Sequence, residues 1–243
     1  MEIEVENAFS RLEALTYLPF DSEIFGFPFF RLIKDTGKPL ARDLEILRNL
    51  QLPAFGCDAK VSSTDDSSVT RLQKEGFVHV CDQVTYDYDL LTTRSKFSPE
   101  KNAVKLMSIK EAEISLHADN FRNDRLSRDS RIPNITVKRF YSTWISNSFR
   151  FTDKKIYALE SGICITQLKQ DILKIDLVSV LKKRKGVGTR LIGHVLSQAL
   201  EEKVYRVEVT TESDNKGAIN AYTRNGFLKK NQSSCLHLFQ YQK

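Results

Sequence analysis

Residues Leu177 to Leu191 read Leu-Val-Ser-Val-Leu-Lys-Lys-Arg-Lys-Gly-Val-Gly-Thr-Arg-Leu, and their reading decides the fold. Just upstream, Asp171–Val180 (DILKIDLVSV) is rich in β-branched and aliphatic residues with partial alternation, which predicts a strand. Leu181 to Gly188 is then a basic loop with two glycines. Beyond it, Thr189 to Lys203 sets Leu191, Ile192, Val195, Leu196, Ala199 and Leu200 along one face, the stripe of an amphipathic helix. A strand that passes through such a loop into a helix offers unpaired backbone N–H groups and a positive dipole end to an anion. Gly186 and Gly188 remove Cβ atoms where a pyrophosphate must approach the backbone, and the run Lys182 to Lys185 adds positive field. A P-loop is excluded because G-x-x-x-x-G-K-[ST] is absent, and G-x-G-x-x-G fails because position 191 is Leu.

Working outward, a second strand is expected at Val204 to Thr210. Ser213 or Asp214 would cap a short helix from Lys216 to Arg224, and Asn225-Gly226 supplies its left-handed stop. Phe227 then enters a final strand pair ending near Tyr241. The N-terminal half contains an echo: Val61 to Gly76-Phe77 repeats the order strand, capped helix, Gly-Phe turn, strand seen from Val209 to Gly226-Phe227. The strand His79 to Leu90 leads into Leu91 to Asn102, a polar segment with Pro99 that reads as a boundary. The expectation is therefore two α/β units, residues 1–95 and 103–243. Between the boundary and the decisive strand, helices are expected at Ile109 to Asn120 and Val137 to Asn147, separated by an Arg- and Asp-dense stretch.

Composition narrows the function classes. The 243 residues are 41% hydrophobic and 28% charged, the balance of an ordinary globular protein. Met1 to Asn7 lacks the basic start and apolar core of a secretion signal, and no apolar run reaches the ~18 residues of a membrane span, so a cytoplasmic protein with no membrane span is expected. Cys57, Cys81, Cys164 and Cys235 are scattered without a C-x-x-C pair, and the four histidines show no ligand spacing; buried thiols and no metal are expected. A formal charge of +6 favours anionic partners, but no basic face interleaved with aromatics points to nucleic acid.

A second motif follows the loop: Asn215-x-x-Ala218-x-x-x-Tyr222-x-x-x-Gly226-Phe227. Together the two resemble the GNAT acyltransferase superfamily, whose cofactor loop reads [QR]-x-x-G-x-[GA] and whose following helix reads N-x-x-A-x-x-x-Y-x-x-x-G-F. Lys183 stands here where Arg or Gln is usual, and Val180 where Pro is common. The resemblance implies a mixed, twisted α/β sheet of GNAT type, complete in the C-terminal unit and partial in the smaller N-terminal one. It implies acetyl-CoA as cofactor, bound by Val178, Val180, Lys183, Arg184, Lys185, Gly186, Val187, Gly188, Thr189, Asn215 and Ala218. Tyr222 would donate a proton to the leaving thiolate after direct attack by an amine. In the echo the matching position is Leu72 and no glycine loop precedes it, so the first unit should bind no CoA.

A broader resemblance covers most of the chain. Phe20-Asp-Ser-Glu-Ile-Phe-Gly26, Leu72-x-x-x-Gly76-Phe77, Phe121-x-x-x-Arg125 with Asp129, and Tyr141-x-x-Trp144 are similar to the bacterial TDP-fucosamine acetyltransferase family. That family's central Ser-Arg-Phe is here Asp124-Arg125-Leu126. The implied acceptor is a nucleotide-linked deoxyamino sugar, a precursor of surface polysaccharide such as lipopolysaccharide, with Asp21, Phe25, Arg125 and Asp129 as substrate-binding candidates in a cleft between the units; a homodimer is compatible. Competing readings are a GNAT acting on a protein, peptide or small amine, and a CoA- or anion-binding module without turnover. The general base stays open among Asp176, Glu208, Glu212 and a chain of waters.

Overall fold

The computed structural model describes residues 8–33, 37–92 and 100–241. It is a mixed α/β fold whose contacts divide it into two compact units, residues 1–82 with 232–243 and residues 83–231. The division differs from the polar boundary expected between 95 and 103. Residues 93–99 of that segment, and the Met1 to Asn7 stretch read for a secretion signal, lie outside the described residues. The boundary expected from polarity assumed units contiguous in sequence, but the last strand of the chain joins the first unit and the second half of the strand at Val78–Asp89 joins the second.

In the first unit, β1 (Leu15–Tyr17), β2 (Phe29–Leu32), β3 (Ala54–Ser62) and β10 (Leu228–Tyr241, from Gln232 on) are neighbours in that order. Helices α1 (Pro19–Phe25), α2 (Lys38–Asn49) and α3 (Asp66–Lys74) complete it. Its core gathers Phe30, Leu40, Leu44, Leu47, Cys57, Leu72, Phe77, Leu236 and Leu238. The buried Asp43 carboxylate of α2 accepts from the N–H groups of Ala14 at 2.7 Å and Leu15 at 3.0 Å, fixing the entry of β1. The strand pair expected after Phe227 is instead the single strand β10. The polar run Lys229 to Gln232 that suggests a turn carries no Gly or Pro to make one and stays extended.

The second unit orders β4 (Val78–Asp89, from Gln83), β9 (Arg206–Glu212), β8 (Ile172–Val180), β7 (Gly162–Lys169), β6 (Lys154–Leu159) and β5 (Val104–Leu106). Helices α6 (Val187–Glu201) and α7 (Lys216–Arg224) pack their apolar stripes, Leu191, Ile192, Val195, Leu196 and Tyr222, with Tyr86, Tyr88, Val207 and Val209 of the strands. Helices α4 (Glu111–Ala118) and α5 (Asn134–Ser148) occupy the expected middle stretch. All four cysteines are buried thiols, and among the described residues no helix is long and apolar enough to cross a membrane.

The echo has a physical basis in both units. Asp65 and Asn215 stand at the same distance before Gly76 and Gly226 and cap α3 and α7 by accepting from Ser68 N and Ala218 N. The cap of α7 is therefore Asn215, not Ser213 or Asp214, because the chain turns once more, Asn215 N bonding Glu212 O, before the helix starts. At the far ends Gly76 (φ +99°) and Gly226 (φ +87°) take the left-handed region. This lets Phe77 N reach Leu72 O at 3.0 Å and Phe227 N reach Tyr222 O at 3.1 Å. The Gly-Phe pair is thus a helix stop that delivers an aromatic anchor into each core.

Candidate active site

Strands β8 and β9 are paired in parallel only from Ile172↔Arg206 to Ile175↔Val209. Both then continue, β8 to Val180 and β9 to Glu212, without pairing to each other. The parting has a cause in β8. Its partner register on β7 runs Thr166↔Ile175 and then Ile165↔Leu177, so Asp176 is the extra residue of a β-bulge, a feature that bends the strand. The carboxylate of Asp176 is held at 2.9 Å by Lys154, whose ammonium lies 5.7 Å from the Trp144 ring centroid. The result is an opened sheet with the backbone edge of Asp176 to Val180 unpaired on its β9 side.

At the mouth of this opening stands the basic loop. Leu181 N and Lys182 N bond the Ser161 carbonyl and hydroxyl at 2.9 and 3.2 Å, and Val187 is buried where Gly162 leaves it room; a Cβ on Gly162 would come within 2.9 Å of Val187 Cγ1. Between these anchors Lys182 to Gly186 are exposed, and Arg184 and Gly186 adopt positive φ of +64° and +72°. No amide from Lys183 to Thr189 donates to a described protein acceptor, so seven consecutive residues of the expected cradle, Lys183, Arg184, Lys185, Gly186, Val187, Gly188 and Thr189, present unused N–H groups at the start of α6. At Gly188 an added Cβ would meet only Val180 Cγ2 at 3.6 Å, so the protein itself does not require glycine there.

Val178 and Val180 lie on the stretch of β8 that is not paired with β9. Asn215 is spent on structure: its Oδ1 caps α7 and its Nδ2 donates to Thr211 Oγ1 at 3.1 Å, while Ala218 supplies the capped N–H. Tyr222 is buried, 6.0 Å from Tyr86 and 5.9 Å from Phe227 between ring centroids, and its hydroxyl bonds no described group. Burial above all, with Cys164 and Glu212 adding, pushes the phenol pKa well up, so it stays protonated and keeps a proton to donate.

The substrate-binding candidates divide between the two units. Asp21 and Phe25 sit on α1 of the first, Phe25 stacking on Phe29 at 4.6 Å and contacting Phe27 and Phe239. Arg125 and Asp129 sit in the second, on the stretch 121–133. Asp129 is engaged by Arg131 through two bonds of 2.7 and 2.8 Å. This stretch is fixed over the unit by Arg128, which reaches Asp214 at 2.6 Å, and by a stack of Phe121 on Tyr141 at 4.1 Å.

Three site features escaped the sequence reading. Ser179, buried on β8, takes His117 Nδ1 at 2.9 Å and Asn120 Nδ2 at 3.1 Å, tying α4 to the open edge. Gly162 and Ser161 seat the loop. Gln83 bonds Glu212 across β4 and β9 at 2.9 Å. Ser179 falls inside the quoted stretch and the others outside it, but each acts through a partner distant in sequence, which no local pattern reveals.

Residues 163–227 match the family model described as Acetyltransferase (GNAT) family. No curated protein matches the chain. Among solved structures, a GCN5-related N-acetyltransferase from Kribbella flavida is 13% identical with a TM-score of 0.60, covering 97% of this chain and 93% of that one. A GCN5-related N-acetyltransferase from Sphaerobacter thermophilus is 14% identical with a TM-score of 0.57 over 88% and 73%. A tandem GNAT protein from the clavulanic acid biosynthesis pathway is 11% identical with a TM-score of 0.56 over 88% and 76%. The chain thus carries the fold of the GNAT acetyltransferases, and its family match spans β7 to the Gly226-Phe227 stop, the segment that contains the parted strands, the basic loop and Tyr222.

Proposed function

We propose that the protein is an acetyl-CoA-dependent N-acetyltransferase that acylates the amino group of a nucleotide-linked deoxyamino sugar. The observation that carries the transferase reading is the parting of β8 from β9 after Ile175 and Val209, with the open amides of Lys183 to Thr189 at one end and Tyr222 in the core cluster that includes Ile175 and Val209 and against which Val178 packs. The cradle suits a pyrophosphate, and the freed edge of β8 suits an amide-bearing arm that bonds it as a strand would. The amine attacks the thioester directly, and the protonated Tyr222 supplies the thiolate's proton. Lys154 and Asp176 hold the bulge that keeps the strands apart.

The acceptor class rests on the resemblance of Phe20 to Gly26, Phe121 to Asp129 and Tyr141 to Trp144 to the TDP-fucosamine acetyltransferases, and on a net charge of +6 that suits a diphosphate. Arg125 and Asp129, in the unit that carries the basic loop, are the candidates proposed to contact it, and the reaction is assigned to the cytoplasm, in a protein free to act as monomer or homodimer. Thiol release from acetyl-CoA, followed with TDP-4-amino-4,6-dideoxygalactose, peptide amines and polyamines, tests both levels. Fastest release with the nucleotide sugar supports the full proposal. Faster turnover of peptide or free amines refutes the sugar, and no release with any amine refutes the transferase.

A further inference from the structure

Of the three carboxylates read as candidate bases, two already hold cations. Asp176 is paired with Lys154 and Glu208 with Lys230. Glu212 is different: it lies at the end of β9, past the last residue paired with β8, only 8% exposed, and takes no cation among the described residues. The carboxylate's one hydrogen bond among the described residues is from Gln83 Nε2 at 2.9 Å, across the register pair Gln83↔Glu212. Gln83 is itself 9% exposed, and its Oε1 is buried without a hydrogen-bond partner among the described residues. A buried carboxylate without a cation beside a buried carbonyl without a donor is a costly arrangement for the protein alone. Both groups lack the same thing, a positively charged donor with several N–H bonds.

From this geometry we infer that Gln83 and Glu212 form the seat of the acceptor's primary amine, with Glu212 as the general base. The inference rests on the acyltransferase reading and adds to it the group that receives the amine. Glu212 also stands within electrostatic reach of the Tyr222 and Tyr141 phenols, both raised chiefly by burial and further by its charge. Asp124 and Arg125 are the other charged groups that act on Tyr141 from the 121–133 stretch. The ammonium donates to Gln83 Oε1 and Glu212 and gives one proton to the carboxylate. The freed nitrogen lone pair forms the N–C bond as the C–S bond breaks, and the thiolate takes its proton from Tyr222. The second nitrogen proton returns through solvent to the Tyr222 phenolate, and that on Glu212 passes to water, so one proton is released per turnover.

E212Q keeps the side chain's size and its contact with Gln83 while removing the base. With the fastest acceptor of the amine panel, kcat is expected to fall by about 10²- to 10⁴-fold, with acetyl-CoA affinity by calorimetry unchanged. Q83M removes the orphan oxygen together with the Nε2 donor to Glu212 but keeps the base, so the KM for the amine should rise about tenfold, with a loss of kcat smaller than that of E212Q. E212D restores the carboxylate and should recover most of the rate. Wild-type kcat in E212Q, an unchanged amine KM in Q83M, or an E212D as slow as E212Q overturns the assignment. Loss of acetyl-CoA binding by the wild-type protein, or no thiol release from it with any amine, instead overturns the acyltransferase reading.

Discussion

The side-chain amide of Asn225 donates to the backbone carbonyl of Thr189 at 3.0 Å, joining the end of the helix that carries Tyr222 to the first turn of the helix that carries the basic loop. The same amide bonds Ala221 O at 2.8 Å, and the approach is close enough that a Cβ on Gly193 would lie 3.2 Å from Asn225 Oδ1. Asn225→Ala removes two bonds worth about 0.5–1.5 kcal/mol each, so a loss of about 1–3 kcal/mol is expected in urea denaturation. Acetyl-CoA affinity should fall with it, because Thr189 is the last residue of the loop proposed to hold the pyrophosphate. A variant as stable as the wild type would show that the helices are held by apolar packing alone.

Gly188 separates ligand from protein demands. With only Val180 Cγ2 at 3.6 Å from its would-be Cβ, Gly188→Tyr should leave the fold intact by circular dichroism while abolishing acetyl-CoA binding by calorimetry. Retained affinity would show that the loop holds no pyrophosphate.

For Tyr222, replacement by Phe keeps the ring in its contacts with Tyr86 and Phe227 and removes only the hydroxyl, and with it the transferable proton. The rate should drop by about 10²- to 10⁴-fold at nearly constant acetyl-CoA affinity. A rate within a few-fold of wild type would assign thiolate protonation to another donor.

What the sequence made legible is local chemistry. The loop, the Gly226-Phe227 stop and its echo at Gly76-Phe77 were readable because each depends on neighbours a few residues away: a left-handed glycine, the following N–H and the preceding carbonyl. The cap of α7 was misplaced by one or two residues because Ser213, Asp214 and Asn215 are all capping types, and the geometry of the turn chooses between them. The strand crossing of the unit boundary and the Gln83–Glu212 pair were not legible, since each is set by register between strands far apart in sequence. The bulge at Asp176 likewise needs the count of residues on β7, which no pattern within β8 reveals.

Leu72 tests the echo. It occupies the place of Tyr222 in the first unit but is fully buried among Leu236, Leu238 and Phe77. Leu72→Ala should cost about 2–5 kcal/mol of stability in a denaturant titration, and saturating acetyl-CoA should still bind with wild-type affinity wherever the protein remains folded. A selective loss of acetyl-CoA affinity would give the first unit a part in donor binding.

The pH dependence of stability follows from two histidines of the second unit. His117, bonded to the Ser179 hydroxyl, and His194, packed edge-on to Tyr157 at 5.4 Å, are both buried, and burial lowers both imidazole pKa values against a smaller opposing pull from Glu113 on the first and from Glu201 and Glu100 on the second. A group whose folded pKa lies below its unfolded value binds more protons when unfolded, so folding is favoured above the unfolded pKa of about 6.5 and weakened as pH falls below it. Stability measured by urea titration should therefore be level from pH 8 to about 7 and decline between pH 6.5 and 5, with less decline in His117→Asn, which keeps a polar group near Ser179 but cannot titrate. The decline should also be accompanied by loosening of β8 at Ser179, readable as faster amide exchange at Ser179 and Val180 than in the core of β7. A stability that rises on acidification through this range, or is indifferent to His117→Asn, would show that His117 gains its proton in the folded state as readily as in the unfolded chain.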